Sequence, residues 1–147
     1  MQSVMAYGSE TWAMKLDYTL RLKRNEMTMI RWMCGVTLKD RRSNLELLQR
    51  LGIDGIAEVV RRGRLRWFGH VERRDAGDWV SSCRNFVVVG QRESGRGRKT
   101  WDECVRDDLK KLKLRREEAL DRDVWRGDIL GERLTRASTV KTDVKCK

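Results

Sequence analysis

The stretch Arg61-Arg62-Gly63-Arg64-Leu65-Arg66-Trp67-Phe68-Gly69-His70 places four guanidiniums and three rings within ten residues. Guanidinium forks pair with backbone phosphates, and aromatic planes stack on bases or sugars. The same spacing also supports a structural reading. Trp67 and His70 fall on a helical stripe that faces a core, and the arginines solvate the rest of the helix. We assign Trp67 and Phe68 to the core, because large rings at helical spacing are usually buried. Arg61, Arg62, Arg64 and Arg66 are left as candidates for nucleic-acid contact.

A second basic stretch, residues 90–99, reads Gly-Gln-Arg-Glu-Ser-Gly-Arg-Gly-Arg-Lys. Its glycines let main-chain amides approach phosphate closely, and Arg92, Arg96, Arg98 and Lys99 supply charge. It lacks the Gly-Lys-Ser/Thr ending of a nucleotide-triphosphate loop. Its alternative role is a flexible tether between helical pieces, and the two roles are compatible.

Other chemistry has less support. His70, Cys83 and Cys104 are zinc-type ligands, but no CxxC or HxxxH pair brings them together, so no metal or other cofactor is expected. The single histidine has no nucleophile elbow near it. Asp107-Asp108 and Asp121/Asp123 lie in charge-alternating helical surroundings. There they serve better as partners for Lys111, Arg115 and Arg126 than as Mg²⁺ ligands. No catalytic residues and no small-molecule substrate are expected.

Proline is absent, so glycines, caps and periodicity must mark the elements that position these groups. A helix is expected from about Thr11 to Cys34, with Leu16, Leu20, Met27, Ile30 and Cys34 inward and Gly35 ending it. Lys15, Arg21, Lys23, Arg24 and Arg31 are left for its other faces. Ser43 and Glu46 form a capping box for a short helix bearing Leu45, Leu48 and Leu51, which Gly52 ends. Asp54 caps a third helix that carries Ile56, Val60, Gly63, Trp67 and His70. Residues 86–89 read as a short strand or buried extended run. A second capping box, Thr100 to Glu103, opens a helix with Trp101, Val105, Leu109 and Leu112 on one face. A last helix spans Arg116 to Leu130, anchored by Leu120, Val124 and Trp125. The tail from Gly131 lacks periodicity and is expected to fray.

The fold class expected is mainly α: a small helical bundle at residues 1–74, an irregular region and basic linker at 75–99, a C-terminal helical segment at 100–131 and a tail at 132–147. The core residues expected are Trp12, Met27, Ile30, Leu48, Val60, Trp67, Trp101, Leu109 and Trp125. Six Trp supply large buried area to a charge-rich chain.

The charge balance bears on partners. The chain holds 33 Lys and Arg against 22 Asp and Glu, a net charge of +11. Such an excess costs self-repulsion and is usually compensated by a polyanion, and the dense arginine clusters favour nucleic acid over a membrane surface. The first ten residues are too short and polar for a secretory signal, and no run is apolar enough to span a bilayer. With four widely spaced cysteines, an intracellular protein with reduced thiols, nuclear or cytoplasmic, is expected.

Five blocks in order resemble one family. Tyr7-Gly8-Ser9-Glu10-Thr11-Trp12 is similar to the YGSETW segment that follows the palm in endonuclease–reverse transcriptases of non-LTR (LINE-like) retrotransposons. Residues 29–36 resemble that family's LRRILGV helix end, and residues 64–71 its RLRWFGHV block. Residues 95–101 resemble its GRPRKRW block, and residues 121–126 its DRDRWR block. Gly97 stands where the family usually has proline, and Thr100 where it often has a basic residue. The resemblance implies the thumb and post-thumb C-terminal region of such an enzyme. The palm's Tyr-x-Asp-Asp turn has no counterpart in this chain. It also implies contact with RNA, DNA or a hybrid. Two alternatives follow from the same blocks: a fragment active only with a palm supplied in trans, and a retroelement relic without activity.

Overall fold

The computed structural model describes residues 2–75, 77–86, 97 and 99–130. Seven α-helices account for most of them, and no strand occurs among the described residues: α1 Gln2–Met5, α2 Leu16–Met33, α3 Asn44–Leu51, α4 Ile56–Glu72, α5 Trp79–Asn85, α6 Trp101–Leu112 and α7 Arg122–Leu130. Short 3₁₀ turns cover Ser9–Thr11, Leu38–Asp40 and Arg116–Leu120. The protein is mainly α, as its periodicity implies. Contacts divide it into two compact units, Met1–Arg64 and Leu65–Lys147, so the division falls within α4 rather than at residue 74.

In the first unit, glycines end the helices where the sequence places them. Gly35 and Gly52 adopt the left-handed conformation, with φ of 63° and 61°, which a Cβ would disfavour. Ser43 accepts from the Glu46 backbone N–H at 3.1 Å, which satisfies one of the orphan donors of α3. The reciprocal half of that box is replaced by an Arg42–Glu46 ion pair at 2.8 Å.

The inward faces differ from those expected. α2 begins at Leu16 and not Thr11, because residues 12–15 are extended or irregular. Trp12 therefore lies outside the helix and is 55% exposed. Leu16 and Leu20 are exposed too, and α2 buries Met27 and Ile30 against Leu47 of α3, with Cys34, Leu48 and Leu51 packed on their edge. Leu45 points outward, since the stripe that meets α2 runs through Leu47 and Leu48. A second small cluster joins Met14, Ile56 and Val60, with Leu22 and Met5 against it.

The largest departure concerns the start of α4. Asp54 does not cap it. Glu26 of α2 does so from across the unit. Its carboxylate, 2% exposed, accepts from the Ile56 backbone N–H at 2.8 and 2.9 Å and from the Gln2 side-chain amide at 2.7 Å. A carboxylate at a helix N-terminus satisfies an orphan amide and complements the positive end of the dipole. Asp54 is free to bind Arg62 instead.

The second unit gathers around Trp125. Leu65, Phe68, Val105, Leu109, Leu114, Ala119, Trp125 and Ile129 form one buried cluster, with Trp101 and Leu112 packed on it. Trp125 is 1% exposed, and its indole N–H donates to the Leu65 carbonyl at 3.0 Å, so its polar edge is also satisfied. A Cβ added at Gly69 would collide with the same indole, so α4 and the Trp125 ring close on each other only because this residue is glycine. Thr100 and Glu103 complete the expected box: Thr100 N–H donates to Glu103 at 2.9 Å, and Glu103 N–H to the Thr100 hydroxyl at 3.3 Å.

The expected Arg116–Leu130 helix is two pieces. A 3₁₀ turn breaks at Asp121, whose side chain accepts from the Asp123 and Val124 amides at 3.0 and 3.1 Å and starts α7. Leu120 and Val124 are consequently exposed, and Trp125 and Ile129 anchor the segment. Residues 79–85, within the stretch expected to be irregular, form α5 capped by Asp78, and Phe86 beyond it is 73% exposed and not in a strand. Residues 87–89, most of the 90–99 linker and the tail from 131 lie outside the described residues.

Of the nine core residues expected, Met27, Ile30, Val60, Leu109 and Trp125 are buried, Leu48, Trp67 and Trp101 are half-buried, and Trp12 is exposed.

Candidate nucleic-acid interface

α4 carries the arginines singled out by the sequence. Glutamate three or four residues before an arginine faces it on a helix, and Glu58 stands in that relation to both Arg61 and Arg62. Arg61 pairs with Glu58, while Arg62 pairs with Glu58 at 3.2 Å and with Asp54 at 2.6 Å. Both arginines are half-buried. Two cations and two carboxylates leave this patch close to neutral, so a phosphate would compete with carboxylates already in place. Arg64 is 7% exposed and belongs to the interior of the chain. It is a poor phosphate ligand in this conformation.

The second unit holds the rest. Arg66 is exposed and makes no ion pair among the described residues. Phe68 is fully buried beneath two guanidiniums, Arg84 at 5.9 Å and Arg116 at 5.2 Å from its ring centre. Trp67 is half-buried and lies beside the exposed His70 ring, with centroids 5.3 Å apart. His70 in turn contacts Arg74 at 3.1 Å. The expectation of a core Phe68 therefore holds, whereas His70 is turned to solvent.

Lys99 binds Asp107 at 2.7 Å. That hydrogen bond raises the Lys99 amine above its ordinary value and lowers the Asp107 carboxyl, the two changes expected of one ion pair. Arg92, Arg96 and Arg98 lie outside the described residues. Asp107 and Asp121 act as ion-pair and capping groups, with partners other than those expected. Asp107 holds Lys99, Asp121 caps α7, and Arg115 pairs with Glu118 at 3.4 Å.

A carboxylate network braces this unit. Glu72 binds Arg84 at 2.6 Å and Arg116 at 3.2 Å. Asp102 binds Arg106 at 2.6 Å and Arg116 at 2.8 Å. The Arg106 hydrogen bond, then Arg116, holds the Asp102 carboxyl below the usual aspartate value. A shallow cavity of about 130 Å³ beside this network is lined by Asp102, Val105, Arg106, Leu109 and Arg116. It lies along the brace and has no grouping of catalytic side chains.

Sequence reasoning left the cations of α2 without a role. Arg21, Lys23 and Arg24, with Lys15 just before the helix, are exposed and make no ion pair among the described residues. Arg31 is half-buried and donates to the Asn44 side chain at 2.6 Å. Of the two α2 carboxylates, Glu26 is occupied by the α4 cap, which leaves Asp17 as the exposed one.

Among the described residues no group of three or more His, Cys, Asp or Glu is placed to hold a metal ion, and no helix is long and apolar enough to cross a membrane. Cys34, Cys83 and Cys104 are not joined in disulfides. No family model, curated protein or solved structure matches the chain.

Proposed function

We propose that this chain is a nucleic-acid-binding module without polymerase or nuclease chemistry of its own, derived from the C-terminal region of a non-LTR retrotransposon endonuclease–reverse transcriptase. The carrying observation is the cation excess, a net +11 that the carboxylates do not offset. Several of those carboxylates are already committed within the fold: Glu26 to a helix cap, Glu58 to Arg61 and Arg62, Asp102 and Glu72 to the brace over Phe68. Cations without such partners, Arg66 in the second unit and Arg21, Lys23 and Arg24 in the first, are available to phosphates. The five ordered sequence blocks support the retrotransposon origin. Arg61 and Arg62 contribute only where phosphate displaces Glu58 and Asp54.

Titration of the whole chain with duplex and single-stranded oligonucleotides over a series of salt concentrations tests the reading. The logarithm of the binding constant is expected to fall linearly with that of the salt concentration, with a slope of about −0.7 to −0.9 per phosphate contacted. Absence of binding, or binding indifferent to salt, refutes the module. Mg²⁺-dependent nucleotide incorporation or strand cleavage by the purified chain, lost on mutating one of its residues, refutes the absence of catalysis.

A further inference from the structure

α2 buries one face, and its opposite face has an order of its own. Tyr18, Asn25 and Trp32 recur at intervals of seven residues, and Met29 falls between the last two. Residues seven apart drift by only about 20° around a straight helix, so these four form a continuous outward stripe. Tyr18 is 53% exposed, Met29 40% and Trp32 84%, while Met27 and Ile30 on the other side are buried. An indole left this bare is costly unless something covers it. From Tyr18 to Trp32 the stripe is about 21 Å long at the helical rise, room for several stacked or extended nucleotides.

The stripe's flanks indicate what covers it. Arg21 lies within one helical turn of both Tyr18 and Asn25, and Arg24 follows it three residues on, whereas Lys23 falls toward the Met27 and Ile30 side of the same helix. None of the three has an ion-pair partner among the described residues. A second copy of the chain would set cations against cations with only Asp17 exposed on α2 to offset them, and would face Asn25 across an apolar seam. A single-stranded polyanion that carries flat rings fits both parts of the face. Its bases lie on Tyr18 and Trp32, and its phosphates meet Arg21 and Arg24. A duplex offers its phosphates but keeps its base faces stacked internally.

We infer that the outer face of α2 is a stacking platform for single-stranded nucleic acid, with Tyr18 and Trp32 as base supports and Arg21 and Arg24 as phosphate contacts. This rests on the proposed binding function and gives that function a site other than the arginine face of α4. Stacking is indifferent to base identity, so the platform binds without strong sequence preference.

Fluorescence anisotropy of the full chain with labelled oligothymidylate, and with a blunt duplex of equal length, tests the platform. Tyr18→Ala and Trp32→Ala are each expected to weaken the single strand by about fivefold to a hundredfold with an unchanged salt slope, leaving the duplex unaffected. Trp32→Phe should retain most of the affinity. Arg21→Gln with Arg24→Gln should flatten the salt slope by about one unit per lost phosphate contact. Photocrosslinking of wild-type chain to a halogenated oligouridylate should map adducts to Tyr18 or Trp32, a readout independent of how the variants fold. Wild-type affinity in both ring variants, equal weakening of duplex and single strand, or adducts confined to other residues overturns the platform. So does a dimer that Trp32→Ala dissociates without changing single-strand binding. If wild-type chain binds no nucleic acid, the proposed function falls with it. If wild-type chain binds and the ring variants bind equally, the platform alone falls.

Discussion

The two units treat rings and charges differently. In the second, Phe68 and Trp125 are buried, their ring centres 6.0 Å apart, and guanidiniums that lie over Phe68 are held in place by Glu72 and Asp102. In the first, the buried clusters are small and aliphatic, Tyr18 and Trp32 face outward, and Arg21 and Arg24 form no ion pair among the described residues. An arginine near an aromatic ring is thus part of a core lid in one place and an unoccupied surface in the other. Local sequence does not separate the two cases. What separates them is whether a carboxylate arrives from another element to hold the guanidinium and whether a helix packs over the ring.

Perturbing each unit's anchor should sharpen that contrast. The largest effect is expected from Trp125→Ala, which empties the centre of the second cluster and removes the indole donor to the Leu65 carbonyl. A loss of about 3–5 kcal/mol is expected, read as a lower urea midpoint by circular dichroism. A loss below about 1 kcal/mol would show that the second unit does not depend on this ring. Single-strand binding through α2 should outlast conditions that melt the second unit.

Glu26→Ala should come next. It leaves the Ile56 amide and the Gln2 side chain without their shared acceptor, at a cost of about 2 kcal/mol. Glu26→Gln keeps an acceptor oxygen and should recover part of that loss. If Glu26→Ala melts like wild type, the cap that Glu26 supplies is incidental to the stability of α4.

The smallest effect is expected from Asp102→Asn, at about 0.5 kcal/mol near neutral pH, because the ion pairs are partly exposed and screened. The Asp102 carboxyl is lowered in the fold from its ordinary 3.8. The folded chain therefore holds this proton less tightly than the unfolded chain. The stabilisation is present above about pH 4 and is lost as pH falls through the depressed folded value. Denaturation midpoints of wild type and Asp102→Asn should differ at neutral pH and converge in strong acid. A difference that persists there would assign the loss to packing over Phe68 and not to charge.

The sequence by itself determined the helical class, the C-terminal glycines Gly35 and Gly52 and the caps at Ser43 and Thr100. It also placed Trp125 and Phe68 in a core. These are decided within a few residues: a hydroxyl meets the amide three positions on, and a glycine takes the left-handed turn. The Glu58 pairing with Arg61 and Arg62 was equally local, although the sequence reading counted those arginines as available. Tertiary structure alone decided that Glu26, not Asp54, starts α4, that Arg64 is buried, and that α2 turns Met27 and Ile30 inward while Trp32 stays bare. α2 has apolar residues around much of its circumference, so periodicity offers more than one stripe to bury. Which stripe is buried depends on where α3 lies. Which cations stay unpaired depends on carboxylates brought close through space rather than along the chain.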